Sequence, residues 1–289
     1  MPAIALQKGI MNKAGTTQLA VTIIKPKKGW QTVDFKELKD YRDLFYFMVS
    51  RQIKGLYAQT ILGILWAVIQ PLLQVVVFTV IFGKVARINT DGIPYFLFSS
   101  VAIVPWTYIS TAMAQSSESL IQGQGMLGKI YFPRLIYPLT PILARLVDFG
   151  ISSVILLGVM VYYHVLPTWN LLFLPLFVLL MVSVSAGIGL WMSSMAIRFR
   201  DVRHAMPFVV RMLMFTAPIV YSASKLPEKY RLIYSLNPIV GVIEGFRACL
   251  LGVPIPWVSI WPGVITTVML LVSGTLYFKR TEKVFVDVI

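Results

Sequence analysis

The chain has 289 residues, of which 57% are hydrophobic and only 13% are charged, and its mean hydropathy is +0.75. A typical soluble domain is about 45–50% apolar and about 25% charged, so this composition excludes an ordinary water-soluble fold. The net charge is +14, which in a membrane protein indicates Lys- and Arg-rich cytoplasmic segments rather than a nucleic-acid partner.

The N-terminal region changes character near residue 33. Residues 1–32 contain five lysines and little apolar periodicity, which predicts a weakly ordered cytoplasmic tail without a cleavable signal peptide. In residues 33–57 a stripe recurs at steps of three or four, formed by Leu38, Tyr41, Phe45, Met48, Gln52 and Leu56. This stripe predicts an amphipathic helix at the cytoplasmic interface. A soluble helix packed on a partner protein is the alternative.

Residues 58–289 are predicted to form a permease domain of membrane-spanning helices. About 20 apolar residues are needed to cross a bilayer as a helix. The sequence predicts six spans, at residues 60–82, 93–114, 139–162, 171–196, 205–221 and 258–278. The fifth span is short and contains Pro207, Arg211 and Pro218. The predicted fold class is therefore an all-α integral membrane protein.

Lys and Arg residues predict the orientation of these spans. With a cytoplasmic N-terminus, about eighteen lie on cytoplasmic segments and about six lie outside, in agreement with the positive-inside rule. The opposite orientation would put the dense group at residues 198–204 outside. Both termini are therefore predicted to be cytoplasmic.

Within the spans, Arg145 and Asp148 are placed at i,i+3 and are expected to neutralise each other.

Nothing in the sequence predicts chemistry within the chain itself. It has no glycine-rich phosphate loop followed by Lys and Ser or Thr. Cys249 is the single cysteine and the two histidines are far apart, so we expect no metal site and no cofactor. No catalytic constellation can be assembled, which leaves a membrane-embedded glycosyl- or acyltransferase as a remote alternative. The first and last three spans show no repeat, which favours a homodimer over an inverted-repeat transporter.

Energy for active transport must then come from another protein, and two polar cytoplasmic segments could receive it. Each segment joins two consecutive spans, so a force on it would move two helices. The candidate residues are Gly123, Gly125, Lys129 and Arg134 in the first segment, and Arg198, Arg200, Asp201 and Arg203 in the second. The alternatives are a flexible glycine turn and membrane anchoring by arginines whose charged ends reach the headgroups.

Three groups of residues carry a family resemblance that covers residues ~40–280. The first group is Arg42-Asp43-Leu44, Arg51, Lys54, Tyr57, Leu62-Gly63, Trp66 and Pro71. The second is Leu120-Ile121, Lys129, Phe132-Pro133-Arg134 and Pro138. The third is Arg200-Asp201, Pro218-Ile219, Tyr221, Pro227, Asn237-Pro238 and Phe246-Arg247. In this combination the chain resembles the permease subunit of polysaccharide ABC exporters.

The resemblance implies a homodimer in a bacterial cytoplasmic (inner) membrane. Two copies of a nucleotide-binding subunit would bind ATP and Mg²⁺, and the cargo would be a lipid-linked O-antigen, capsule or teichoic-acid chain. The two polar segments would correspond to the family's coupling segments. The amphipathic helix, with Arg42, Asp43, Arg51 and Lys54, would pack against the ATPase. Residues 225–256 would re-enter the membrane from outside as short helices, with a break at Asn237-Pro238 and with Glu244 and Arg247 paired at i,i+3.

Aromatic residues complete the predicted site, because aromatic faces can stack on sugars. The resemblance implies a glycan channel, and its candidate lining residues are Trp66, Phe78, Phe82, Trp106, Tyr108, Phe208, Phe215 and Tyr221. Arg211 either borders this pathway or anchors the fifth span at the headgroups. The aromatic residues could instead be ordinary core or membrane-interface residues. The alternative cargo, with the same fold, is a drug or a lipid.

Overall fold

The computed structural model describes residues 5–11, 17–23, 35–58, 60–127, 131–165, 168–199 and 201–282. The chain forms two units, residues 1–32 and residues 33–289. In the first unit, strands β1 (Ala5–Met11) and β2 (Thr17–Ile23) pair antiparallel, with Ala5 opposite Ile23 and Met11 opposite Thr17. The sequence predicts a weakly ordered tail here. The paired strands differ from that prediction, and the Val21-Thr22-Ile23 run of β2 favours extended backbone.

The second unit is helical wherever regular structure is described. Its helices are α1 (Phe35–Asp40), α2 (Arg42–Tyr57), α3 (Trp66–Phe78), α4 (Tyr95–Gln122), α5 (Gln124–Leu127), α6 (Ile136–Tyr162), α7 (Leu174–Arg198), α8 (Asp201–Thr216), α9 (Glu228–Ser235), α10 (Pro238–Leu251) and α11 (Trp257–Thr281). A 3₁₀ turn (Gly63–Leu65) and a π-helical stretch (Thr79–Val85) extend α3, and a 3₁₀ turn (Trp169–Phe173) precedes α7.

Five helical stretches in the described part of the chain are long and apolar enough to cross a membrane. They are Gly63–Val85, Tyr95–Met126, Ile136–Tyr162, Trp169–Arg198 and Trp257–Thr281. Each overlaps one of the predicted spans, and most ends differ from the predicted ones by a few residues. The exception is the second stretch, which ends at Met126, whereas the predicted span ends at residue 114. Five of the six predicted spans therefore correspond to helices of sufficient length.

The remaining predicted span, residues 205–221, is not a helix of membrane-crossing length. Helix α8 begins at Asp201 and ends at Thr216, so its 16 residues are about 24 Å long, whereas the hydrocarbon core is about 30 Å thick. Its end follows from Pro218, since a proline disfavours helical backbone at the residue before it. The predicted start is also four residues late, because Asp201 stabilises the first turn through the helix dipole.

Helix α4 extends further toward the first coupling segment than the sequence predicts. The polar stretch after Ala114 remains helical up to Gln122. Its serine hydroxyls are satisfied inside the protein, since Ser116 Oγ donates to Pro138 O (2.9 Å) and Ser119 Oγ donates to Ser116 O (2.7 Å). Polar side chains that bond to backbone carbonyls in this way are compatible with a buried helix.

Helix α4 is also the centre of the permease unit. It packs against α3, α6, α7 and α10, and most of its side chains are buried. Helices α7 and α11 cross closely at two glycines, because a Cβ on Gly274 would lie 2.7 Å from the carbonyl oxygen of Gly187. Small residues allow this kind of close helix packing in membrane proteins.

An irregular segment, residues 217–222, connects α8 to the helices that follow, and it is held by side chains rather than by helical hydrogen bonds. Arg247 of α10 donates from Nη2 to Ile219 O (3.3 Å) and from Nη1 to Tyr221 O (3.4 Å). Tyr95 Oη donates to Val220 O (2.9 Å). Three successive carbonyls thus receive donors from α4 and α10, as backbone inside a membrane protein requires.

The Arg247 side chain is itself buried and tightly held. It is 3% exposed, its Nη1 lies 2.9 Å from Glu244 Oε1, and its guanidinium lies 3.7 Å from the ring centre of Phe98. The pair at i,i+3 confirms the predicted proximity of Glu244 and Arg247. The sequence does not indicate that the arginine also binds the irregular segment. Asn237, whose side chain accepts from Ile239 N (3.1 Å), and Pro238 begin α10 at the predicted break.

Replacing Arg247 by Met should lower the free energy of unfolding by about 3–5 kcal/mol, because the largely covered Glu244 would lose its counter-charge and two backbone carbonyls would lose their donor. In the double variant Glu244→Gln/Arg247→Met the loss should fall to about 1–3 kcal/mol, the cost of the carbonyls that remain unsatisfied. Denaturant unfolding of the purified protein in lipid nanodiscs measures both.

Arg42 supplies the control, since its ion pair with Asp43 (3.5 Å) is solvent-exposed. Arg42→Met should change stability by less than about 1 kcal/mol. Equal losses for Arg42→Met and Arg247→Met would contradict the role assigned to Arg247.

Candidate functional site

The segment predicted to be the first coupling segment follows α4 directly. Gly123 ends α4, and Gln124–Leu127 form the short helix α5. Gly123 is buried against the ring of Tyr137, because a Cβ on Gly123 would lie 2.2 Å from Tyr137 Cε1, whereas a Cβ on Gly125 would meet nothing within 4 Å. Gly123 therefore allows a close helix contact and Gly125 does not. The predicted residue Lys129 lies outside the described residues.

The second half of this segment is tied to other parts of the chain. Arg134 Nη1 donates to the carbonyl oxygen of Glu282, just after α11. Tyr131 Oη donates to Glu37 Oε1 of α1 (3.2 Å). Burial, together with the Glu37 carboxylate, raises the pKa of Tyr131 to about 12, so this hydroxyl is protonated at neutral pH. The segment thus contacts both the N-terminal helices and the C-terminal helix.

An apolar cluster lies beneath the segment and connects it with five helices. Its buried members include Met48 of α2, Leu120 of α4, Phe132 of the segment, Tyr137 of α6, Ile197 of α7 and Phe278 of α11. Leu38, Tyr41 and Phe45 of the predicted stripe pack against the same cluster. Because protein interiors are close-packed, a displacement of α2 or of the segment must displace the helices that share this cluster.

Helix α2 presents its other side to the surroundings. Arg42 and Asp43 form an exposed ion pair (3.5 Å), and Arg51 and Lys54 are also exposed. Tyr46 on this helix is 76% exposed and Phe47 is 60% exposed. The helix is therefore amphipathic as predicted, and the four predicted interface residues lie on its exposed side.

The second coupling segment is the short link between α7 and α8. Arg198 and Phe199 end α7, Asp201 and Arg203 lie in the first turn of α8, and all four side chains are exposed. The Arg198 guanidinium lies 5.7 Å from the ring centre of Phe199. Among the described residues, Asp201 and Arg203 form no ion pair, which leaves them available to a partner. The predicted residue Arg200 lies outside the described part of the chain.

One face of α8 carries three predicted pathway residues. Phe208, Arg211 and Phe215 are exposed, and with spacings of three and four they lie along one side of the helix. Asp201 and His204 continue this exposed side toward the second coupling segment. The opposite side packs on α4 and α7. An apolar face that includes an arginine fits a partner surface or an aqueous pathway better than lipid.

A polar cavity of about 220 Å³ lies between the end of α2 and helices α3, α4 and α6. Trp66 and Tyr108, both predicted pathway residues, line it together with Arg145 and Asp148. Arg145 pairs with Asp148, as the sequence predicts, and its Nε donates to Gln115 Oε1 (3.0 Å). Tyr57 Oη donates to the other oxygen of Asp148. The cavity therefore brings together charged and aromatic groups from three of the candidate membrane-spanning helices.

The other predicted pathway residues occupy different environments. Phe78 and Phe82 contact each other edge to face, with ring centres 5.4 Å apart, and both are partly exposed. Tyr221 Oη accepts a hydrogen bond from Tyr234 Oη (3.1 Å). Trp106 is only 3% exposed and belongs to the core of the bundle. Other residues of the bundle cover its indole in this conformation, and its pathway role stays a prediction.

Sequence reasoning missed several residues of the polar cavity, chiefly Tyr57 and Gln70. A signal for it was present in α4. Thr107 and Thr111 line the cavity, and Gln115 contacts its arginine. These three residues are spaced at i, i+4 and i+8, which places polar groups along one side of an otherwise apolar helix.

The chain is similar along most of its length to named transport proteins. The sequence model of the ABC-2 type transporter family matches residues 43–251. The chain is 25% identical to the O-antigen export system permease protein RfbA of Myxococcus xanthus, over 86% of this chain and 96% of that protein. It is 23% identical to the protein of the same name from Klebsiella pneumoniae, over 86% and 95%. It is 24% identical to the polysialic acid transport protein KpsM of Escherichia coli, over 80% and 91%.

The two glycines of the first coupling segment allow a matched test. Gly123→Ala should lower the free energy of unfolding by about 1–3 kcal/mol, because the new methyl group overlaps the Tyr137 ring. Gly125→Ala should leave stability unchanged or slightly raised, since it adds a better helix former in open space. Unfolding curves of the two purified variants check this. Two results would contradict the role assigned to Gly123. One is an equal loss of stability in the two alanine variants, and the other is no recovery of stability when Tyr137→Leu is added to Gly123→Ala.

Proposed function

The chain belongs to the ABC-2 type transporter family, and on that basis we propose that it is the membrane-spanning subunit of an ATP-driven exporter. The proposed cargo is a lipid-linked polysaccharide of the O-antigen, capsule or teichoic-acid type. The alignment with an O-antigen export permease over 96% of that protein's length is the observation that supports this choice of cargo. The family match itself covers residues 43–251, which include helices α3 to α10 and both coupling segments.

Two features of the chain support an ATPase partner. Both coupling segments lie at the same end of the helices. The first segment joins the end of α4 to the beginning of α6, and the second joins the end of α7 to the beginning of α8. Charged side chains are exposed on the second segment and on α2. A nucleotide-binding subunit docked on these surfaces would bind ATP and Mg²⁺ itself. Its movements would reach α4, α6, α7 and α11 through the shared apolar cluster.

The proposed topology has six crossings, with both termini in the cytoplasm of a bacterial cell and the chain in its cytoplasmic (inner) membrane. Five crossings are the long helices, and α8 with the irregular residues 217–222 makes the sixth. This short crossing is possible because Arg247 and Tyr95 satisfy the carbonyls of Ile219, Val220 and Tyr221. Helices α9 and α10 would then re-enter the membrane from outside. The distribution of Lys and Arg supports this orientation.

The exposed face of α8 supports a homodimer. A single chain leaves Phe208, Arg211 and Phe215 uncovered, and an arginine facing lipid is costly. A second copy, related by two-fold symmetry, would place two such faces opposite each other. The proposed pathway for the glycan runs between them. It would be bordered by aromatic rings and by the two Arg211 side chains, which can interact with sugar hydroxyls or with a pyrophosphate group.

Deletion of the gene tests the proposed cargo. We expect the deletion strain to lose its surface polysaccharide and to accumulate the same glycan inside the cell, and a plasmid copy should restore export. Cell fractionation with glycan-specific staining measures both pools. A deletion strain with normal surface glycan and normal internal pools would overturn the proposed function. Hypersensitivity to a drug without any change in glycan would favour the efflux alternative.

Charge reversal at Asp201 tests the coupling role. Asp201→Lys should strongly reduce export while leaving the permease folded and present in the membrane, because the mutation changes an exposed charge of the second coupling segment. The matched control is Glu228→Lys. Glu228 is also an exposed acidic residue at the first position of a helix, α9, at the other end of the molecule.

Both reversals put a cation at a helix N-terminus, so the intrinsic cost to the helix is similar, at about 0.3–1 kcal/mol. Export should therefore fall in Asp201→Lys and persist in Glu228→Lys, at equal amounts of membrane protein by immunoblot. Normal export by Asp201→Lys would show that this residue has no part in coupling.

A further inference from the structure

A second polar cavity, which the proposed pathway does not include, lies at the end of the helices opposite the coupling segments. Its volume is about 440 Å³, which falls within the range of small-molecule sites, about 300–1,000 Å³. Its walls come from residues 90–93 before α4, from the turn after the irregular segment, from α9 and α10, and from residues 251–259. In the proposed orientation this is the outer side of the membrane.

Hydroxyl groups are the commonest polar groups in the wall of this outer cavity. They belong to Thr90, Ser222, Ser224, Tyr234, Ser235 and Ser259. A hydroxyl can donate one hydrogen bond and accept two. Four of these hydroxyls donate within the protein: Thr90 to Ile93 O, Ser224 to Asp91 Oδ2, Tyr234 to Tyr221 Oη and Ser235 to Arg231 O. Their oxygens can still accept, so the wall suits a ligand that is rich in hydroxyl donors.

The charges in the wall are balanced. Asp91 and Glu244 face the cavity together with Arg231 and Arg247. Lys225 is not a wall residue, and its Nζ lies 3.0 Å from Asp91 Oδ1. Hydrogen bonds from Lys225 and Ser224 hold the pKa of Asp91 below its ordinary value, so this carboxylate is ionised at neutral pH. An anionic ligand would meet two carboxylates and a cationic ligand two guanidinium groups, so the balance favours a neutral ligand.

Arg247 lines this cavity with part of its side chain. The side chain is 3% exposed, and its Nε is buried with no hydrogen-bond partner among the described residues. A ligand can reach this donor only if the guanidinium group moves. On the same helix, Glu244 Oε1 accepts from Arg247 Nη1, while the second carboxylate oxygen can accept from a ligand. An arginine and a carboxylate side by side can bind vicinal hydroxyls.

We propose that the outer cavity binds a single sugar unit of a glycan chain. Accepting hydroxyl oxygens, balanced charge, the second carboxylate oxygen of Glu244 and the volume together match a neutral polyhydroxy ligand. A lipid acyl chain would displace water from these polar groups without offering them hydrogen bonds. The identity of the ligand and the outward orientation rest on the proposed function. A sugar held here would oppose backward movement of the exported chain between ATPase cycles.

Photo-crosslinking in cells tests this site with the cell's own exported polysaccharide as the probe. The photoreactive amino acid p-benzoylphenylalanine replaces either Ser259, which lines the cavity, or its neighbour Val258, which is 86% exposed. After irradiation the permease is purified under denaturing conditions and stained for attached glycan. We expect several-fold more attached glycan at position 259 than at position 258.

A blocking variant separates occupation of the cavity from general proximity to the glycan. Ser224→Trp, combined with the probe at position 259, should fill part of the cavity and lower the attached glycan several-fold. Equal labelling at the two positions, or no labelling at position 259 while the cells still export glycan, would overturn the proposed site and leave the proposed function intact. If the unmodified chain supports no export at all, the proposed function fails, and the sugar site fails with it.

Discussion

The buried Arg247 is the interaction on which the outer half of the permease depends. Its guanidinium lies on Phe98, pairs with Glu244 and donates to two carbonyls of the irregular segment after α8. A buried ion pair by itself is weak evidence of stability. Here the arginine also satisfies backbone that has left the helix, which the bilayer could not solvate. The chain can therefore end α8 early and still pack α10 into the bundle.

At the other end of the helices, the elements are joined chiefly by apolar packing. Met48, Phe132 and Phe278 bring α2, the first coupling segment and α11 into one cluster, which α4, α6 and α7 complete. The charged residues of α2 and of the second coupling segment, Arg42, Asp43, Arg51, Lys54, Arg198, Asp201 and Arg203, lie outside this cluster and are exposed. A partner can thus bind the charged surface while the apolar cluster transmits its movement. The polar cavity near Arg145 and Asp148 lies directly above, linked to α2 by the Tyr57 hydrogen bond.

The sequence predicts the long spans well, because about 20 consecutive apolar residues have few alternatives to a membrane helix. It predicts α8 less well, since Pro218 ends the helix while the apolar run continues. Local patterns also found the Glu244–Arg247 pair and the break at Asn237. They could not show that Arg247 reaches Ile219 and Tyr221, that Trp106 is covered by other helices, or that Gly123 packs on Tyr137, because these contacts join residues far apart in the chain or depend on how whole helices pack.

The proposed export function makes a direct claim about what activates the partner ATPase. The decisive measurement is the ATPase rate of the permease reconstituted in liposomes with its nucleotide-binding subunit, with and without purified lipid-linked glycan from the same cells. The account predicts that the glycan raises this rate, and that the nucleotide-binding subunit alone does not respond to it. A rate that is unchanged by the glycan but raised by a drug or an ordinary phospholipid would contradict polysaccharide export.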